Sequence, residues 1–223
     1  VQLVPPPAPW HTDRYPILDL AHAAGAAIAA MGKTASDVVT LARTEIAEAS
    51  AGAGGSSAMP QKRNPVDAVL LRSAAMRAPA LVAQLHTAAG LAGDERPDGA
   101  WHAEWEPLQE LLRLLVASAA QLRDLVAVIE FDVTRARANL GLTHGLIVSE
   151  RLALVLRPRI GAARFAELIR RAASGEQLAA LVHALPEASG LDVDELLDPA
   201  RYTGRAGELV DDAVRYARQE GIR

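Results

Sequence analysis

DRYPILDLAHAAGAAIAAMGKTASDVVTLARTEIAE, residues 13–48, reads as one long helix. Leu18, Ala21, Ile28, Met31, Ala35, Val38, Ala42 and Ile46 recur at three-, four- and seven-residue steps, the spacing of one helical face. Thr12 or Asp13 offers an N-cap. Alanines, Gly25 and Gly32 cover much of the remaining surface, and small residues let helix backbones approach closely. At ~1.5 Å per residue the helix would be about 50 Å long. A helix of that length belongs to a bundle or an oligomer core.

Upstream, prolines at 5, 6, 7 and 9 rule out a helix interior or a central strand and give an extended lead-in. Downstream, ASAGAGGSS at 49–57 is too rich in small residues to hold a fixed helix. Asn64-Pro65 then gives a start signal, Asn as cap and Pro at the first helical position. The second helix is expected over 65–89 with a kink at Pro79. A polar link follows at 90–105. A third helix is expected over 106–131, with Leu108, Leu111, Leu112, Leu115, Ala119, Leu122, Val126 and Ile129 as its stripe. Three such helices form an antiparallel bundle segment over 1–131. Shorter helices, over 133–139, 143–156, 162–174, 176–184, 192–197 and 207–219, form a small C-terminal helical domain over 132–223. The fold class is all-α, with no strands expected.

Composition agrees. The chain has 223 residues, half of them apolar and only 4% aromatic, and is dominated by Ala, Leu and Arg, which favour helix. Against 23 Lys+Arg stand 27 Asp+Glu, a net charge of −4, which argues against nucleic-acid binding. Zero cysteines remove disulfides, thiolate metal sites and thiol nucleophiles, and fit a cytoplasmic protein. No run of about 18 apolar residues suggests a membrane partner. Without a glycine-rich turn after a strand, no dinucleotide cofactor is expected.

The segment that carries chemistry is Gly54-Gly55-Ser56-Ser57-Ala58-Met59-Pro60-Gln61-Lys62-Arg63-Asn64-Pro65. Two hydroxyls, two cations and an amide stand just before a helix N-terminus. Backbone amides, Lys62 and Asn64 suit a carboxylate. A serine there can move a proton once amides stabilise its alkoxide. Read by composition alone, the same run also suits a flexible interhelical loop with an ordinary cap.

GSSAMPQKRNP closely resembles the signature loop of the fumarase/aspartase superfamily, GSSxMPxKxNP. That resemblance implies homotetramers built around very long helices that cleave C–N or C–O bonds by β-elimination, or run the reverse addition, with no cofactor. It puts the proton-abstracting base on Ser56, with Ser57 beside it. It puts the carboxylate ligands on Lys62 and Asn64, with Met59 supplying shape. Three further segments, Trp10-His11-Thr12, Gly99-Ala100-Trp101-His102-Ala103-Glu104-Trp105 and Asn139–Ile147, are similar to the 3-carboxy-cis,cis-muconate cycloisomerase branch. The resemblance covers essentially the whole chain but only about the second half of a family chain. An N-terminal domain, two bundle helices and two signature regions, one carrying a histidine of the general-acid machinery, would lie outside it.

Among individual residues, Trp101 and His102 are candidates to face substrate, and Arg14 to meet a substrate carboxylate. Glu104 could orient His102, and Trp105 is expected to pack. The histidines at 11, 22, 86, 102, 144 and 183 show no pair at a ligand spacing such as i, i+4, so no metal is expected. His22 and His86 are expected to be packing residues and His183 a surface one. His144 is expected to order the turn around Thr143 or to face substrate.

The expected activity is interconversion of 3-carboxy-cis,cis-muconate and 4-carboxymuconolactone, by intramolecular carboxylate addition and β-elimination, in protocatechuate breakdown. The substrate partner is thus a small tricarboxylate. An adenylosuccinate lyase-like, fumarate-releasing reaction is the alternative, and a catalytically incomplete helical assembly fragment is a third. Apolar and small residues around more than one face of the long helices predict a homo-oligomer, a tetramer by resemblance.

Overall fold

The computed structural model describes residues 9–52 and 64–221. The chain divides into two compact units, Val1–Arg135 and Ala136–Arg223.

In the first unit, α1 (Tyr15–Leu41), α2 (Val66–Gly90) and α3 (Ala100–Val128) form the expected up-down-up bundle. Its core is a seam of Ala21, Ile28, Ala35, Leu71, Leu85, Leu111 and Leu125, all essentially buried. Small residues set the spacing between α1 and α2. A Cβ added at Gly32 would stand 2.3 Å from the Ala75 Cβ, so glycine alone allows the two helices to approach this closely.

Each helix differs at an end from the sequence expectation. Asp13 does serve the start of α1, its Oδ1 accepting from the Tyr15 amide at 3.1 Å. The helix stops at Leu41 rather than near residue 48, because Ala47 takes a positive φ of 52° and the Glu48 amide turns back to the Leu41 carbonyl at 2.9 Å. Twenty-seven residues span roughly 40 Å, not 50. The start of α2 lies one residue later than expected: Pro65 occupies the cap position, and no side chain caps the helix. Helical structure runs through Pro79 without a break. The largest change is in α3, which begins at Ala100 after Gly99 (φ +69°) and takes in the whole Trp101–Trp105 segment expected as a link. Pro107 lies inside this helix and is fully buried, so packing outweighs the lost amide donor.

The expectation of no strands is also corrected, on a small scale. β1 (Ala49–Ala51) pairs antiparallel with β2 (Ile129–Phe131), Ala49 opposite Phe131 and Ala51 opposite Ile129. The first residues of the ASAGAGGSS run therefore hold a fixed, extended conformation, and α3 ends at Val128. The Asp132 amide extends the ladder to the Glu48 carbonyl at 2.9 Å. Arg135 closes the same corner from its side chain, donating to the Ile46 and Glu45 carbonyls at 3.0 Å each.

α4 (Val133–Leu140) leads out of this corner. The second unit is built from α5 (Ser149–Ile160), α6 (Ala162–Ala173), α7 (Leu178–His183), α8 (Val193–Leu197) and α9 (Ala206–Gln219). The helix expected over 143–156 is instead two 3-10 turns, Gly141–Thr143 and Leu146–Val148, followed by α5. Left-handed His144 (φ 52°) and Gly145 (φ 90°) break it. Val148, Leu152, Leu156, Leu178 and Val182 centre a separate core. Among the described residues no helix is long and apolar enough to cross a membrane.

Candidate functional site

Of the five loop candidates, Asn64 falls within the described residues; Ser56, Ser57, Met59 and Lys62 lie outside them. It is exposed at the mouth of a cleft of about 660 Å³ whose polar lining comprises Thr44, Ser50, Asn64, Glu130, Asp132 and Thr134. The early stop of α1 and the β1–β2 ribbon create this cleft. A neighbouring cleft of about 540 Å³ meets it at Thr44, Asn64 and Pro65, with Arg43, Val66 and Leu70 on its far side. Of the lining carboxylates, Asp132 is engaged locally, its Oδ1 accepting from the Arg135 amide at 2.8 Å. Thr44, Ser50, Glu130 and Asp132 were not legible as lining residues, since only the strand pairing brings residues 50 and 130 together.

The second group of candidates lies at the opposite end of the bundle. α3 runs alongside α1, so Trp101 and His102 sit beside the start of α1, roughly 40 Å by helix rise from Asn64. The Trp101 ring faces His11 with centroids 5.9 Å apart, and His102 leans on Trp105 at 4.7 Å. Trp101, His102 and Trp105 are all exposed, Trp105 keeping half of its surface in solvent while its ring meets His102. Asn64 and these aromatic residues therefore do not meet in one site within a single chain.

Two roles are corrected here. The Arg14 side chain is not free for a substrate: its Nε donates to Glu104 Oε2 at 2.8 Å and its Nη2 to Oε1 at 2.5 Å, while Nη1 donates to the Trp10 carbonyl. Both partners are buried, 9% and 5% exposed. Glu104 correspondingly answers Arg14 and does not orient His102, because on a helix residues two apart face different ways.

The other histidines are also placed. His144 shares a hydrogen bond with Gln177 at 3.2 Å, while its carbonyl accepts from the Leu178 amide at 3.3 Å, so it ties its turn to the start of α7. His183 is exposed beside Asp194 at 3.3 Å. His22 and His86 do not pack inside the bundle: both are exposed, and their Nε2 atoms meet at 2.6 Å across α1 and α2. Their separation of 64 positions hid this pair from any spacing rule. Among the described residues no group of three or more side chains suited to a metal occurs.

Comparison with known proteins finds relatives among lyases and cycloisomerases. Residues 6–80 match a family model described as lyase. A nitrosuccinate lyase from Streptomyces davaonensis is 48% identical over 95% of this chain and 47% of its own length. The 3-carboxy-cis,cis-muconate cycloisomerase of Pseudomonas aeruginosa is 42% identical over 94% of this chain and 48% of its own. The crystal structure of the 3-carboxy-cis,cis-muconate lactonizing enzyme from Pseudomonas putida superposes with a TM-score of 0.89 at 37% identity, covering 97% of this chain and 51% of that one. The chain thus resembles lyases of the fumarase/aspartase superfamily. It spans about half the length of the curated relatives it matches. That structural likeness matches the all-helical architecture, in which the β1–β2 ribbon is a minor addition.

Proposed function

We propose that this chain supplies part of the active site of a lyase that makes or breaks a bond β to a carboxylate, with 3-carboxy-cis,cis-muconate as substrate and the loop at 54–65 as the reacting element. The observation that carries this reading is the run GSSAMPQKRNP, whose last two residues, Asn64 and Pro65, line the cleft. In the lactonising direction one substrate carboxylate oxygen adds to a carbon of the double bond. The electron pair moves to the carbon beside another carboxylate, and a proton delivered there completes the lactone. The intermediate is an aci-carboxylate bearing extra negative charge. Lys62, Asn64 and the loop amides stabilise that charge more than the ground-state carboxylate, which is where rate acceleration arises. Ser56 carries the proton, with Ser57 as the neighbouring alternative.

The identity to a nitrosuccinate lyase, 48% against 42% for the cycloisomerase, favours a second substrate with the same chemistry. In nitrosuccinate the nitro group stands β to one carboxylate. Loss of that group as nitrite, with the proton taken from the carbon next to the carboxylate, leaves fumarate. A single assay separates the readings, scoring lactone formation, nitrite release and fumarate release from 3-carboxy-cis,cis-muconate, nitrosuccinate and adenylosuccinate. Lactone without nitrite supports the first reading, and nitrite with fumarate the second. Fumarate from adenylosuccinate alone would overturn both.

The placement of Asn64 and the Trp101–His102 group at opposite bundle ends supports assembly, since copies packed along their long helices can bring one end of each chain beside the other end of a neighbour. We propose a homo-oligomer, a tetramer by resemblance, with such shared sites. The rival view of a non-catalytic helical module is tested by supplying substrate to the 223-residue chain alone and together with a polypeptide covering the other half of the relatives' length. Turnover in neither case would favour the module.

A further inference from the structure

The His22–His86 pair stands apart from the cleft and from the Trp101–His102 group, and no step of the proposed reaction uses it. α1 presents His22 and α2 presents His86 on the outside of the bundle, with ring centroids 4.7 Å apart and Nε2 facing Nε2 at 2.6 Å. Two imidazole nitrogens that face each other each offer a lone pair, and two lone pairs repel unless a positive centre lies between them. A proton is one such centre and a metal ion is the other. With metal–nitrogen bonds of about 2.0–2.1 Å and an angle between 90° and tetrahedral, two coordinated nitrogens sit about 2.9–3.4 Å apart. Opening the pair by less than 1 Å reaches that separation, and both side chains are exposed and free to turn.

The surroundings leave room for the rest of a coordination shell. The rings border an open cleft of about 470 Å³ whose floor is Gly25, Ala26, Ala29 and Ala83, with no long side chain to occupy the space beside the nitrogens. The close helix approach that places the rings together is itself fixed by sequence, since a Cβ added at Gly25 would meet the Val82 Cγ2 at 3.0 Å.

We propose that His22 and His86 form a two-imidazole site for a borderline divalent transition-metal cation of the Ni2+, Cu2+ or Zn2+ class, with water filling its other positions. Imidazole nitrogen suits these ions, whereas Mg2+ and Ca2+ take oxygen ligands, and no side chain lining this cleft carries an oxygen. The ion crosslinks α1 to α2 on the outer face and would raise the thermal stability of the bundle by binding the folded state alone.

Titration calorimetry with Ni2+ and with Zn2+ on the intact chain tests this. One ion per chain is expected, with a rise in the thermal midpoint. His22→Asn and His86→Asn should each weaken binding at least tenfold and abolish the thermal shift, while His183→Asn leaves both unchanged. Circular dichroism of the two asparagine variants should match the parent, because both positions are exposed. Absence of saturable binding would overturn the site in favour of a proton-sharing histidine pair. Binding that survives both substitutions would overturn it by placing the ion elsewhere.

Discussion

Arg14 and Glu104, ninety positions apart, form a two-pronged ion pair that joins the entry of α1 to the first turns of α3, with Nε···Oε2 at 2.8 Å and Nη2···Oε1 at 2.5 Å. Both side chains are removed from water, so breaking the pair leaves a buried charge without a partner. Glu104→Ala is expected to cost roughly 3–5 kcal/mol. Replacing both members together, Arg14→Met with Glu104→Leu, should recover most of the loss, because apolar packing substitutes for the pair. Chemical denaturation of the single and double variants measures the coupling, and additive losses would show that the pair is not the source.

At Gly32 the packing between α1 and α2 admits no side chain. Gly32→Ala gains up to about 1 kcal/mol of helix propensity but forces a methyl to 2.3 Å from Ala75. Overpacking of a close core typically costs 1–3 kcal/mol, so a net loss is expected, larger still for Gly32→Val. The pairing Gly32→Ala with Ala75→Gly should restore part of it. A thermal midpoint at or above the parent's for Gly32→Ala alone would contradict the close approach.

For the loop, Ser56→Ala in the assembled enzyme should lower kcat by about 10²-fold or more while leaving helical content unchanged. Lys62→Met should raise KM as well, since it removes a carboxylate ligand from ground and transition states alike. If Ser57→Ala abolishes turnover and Ser56→Ala does not, the base moves one residue along.

In the second unit, hydrogen bonds from Arg171 hold the Glu176 carboxyl below its ordinary value of 4.5, at contacts of 2.5 and 2.7 Å. Arg164 does the same for Glu187. A carboxyl lowered on folding adds stability that is present above about pH 4.5 and is lost as pH falls through the lower, folded-state value. The thermal midpoint should therefore drop on acidification below 4.5. Glu176→Gln with Glu187→Gln should flatten that drop, and added salt should shrink the difference, because both pairs are solvent-exposed. An unchanged acid profile in the double variant would remove these pairs from the account.

Exposed Val66, Val69, Leu70 and Met76 on α2, with Val116 and Val126 on α3, leave the bundle with apolar surface that a lone chain keeps in water. Light scattering at micromolar concentration is expected to report an oligomer, and Leu70→Glu with Met76→Glu should dissociate it. A stable monomer would sink the shared-site arrangement too.

The long helices were legible because their cores repeat at helical spacing: Ala21, Ile28, Ala35 and Val38 are buried as the pattern required. The ends were not. Ala47 in a left-handed turn and Ala49–Ala51 in a strand have no local signature, since the strand exists only through a partner eighty residues away. Likewise, the third helix was expected only from residue 106, because the burial that holds Pro107 inside α3 is a tertiary effect. Of the candidate site, the loop was legible from its run of residue types, whereas the fate of Arg14 was not. A guanidinium before a helix looks the same whether its carboxylate comes from a substrate or from Glu104.

The three-residue ribbon makes the chain intolerant of insertion in one unexpected place. Side chains on a strand alternate, so adding a single residue between Leu125 and Ile129 would bring the other face of β2 against Ala49, Ser50 and Ala51, or shift the pairing by one. Either change moves the point from which the segment after Gly52 departs. Sequence drift in length at the far end of α3 is thus constrained by a loop to which it has no covalent proximity. Related chains should vary in length at Leu91–Gly99 far more freely than at this junction.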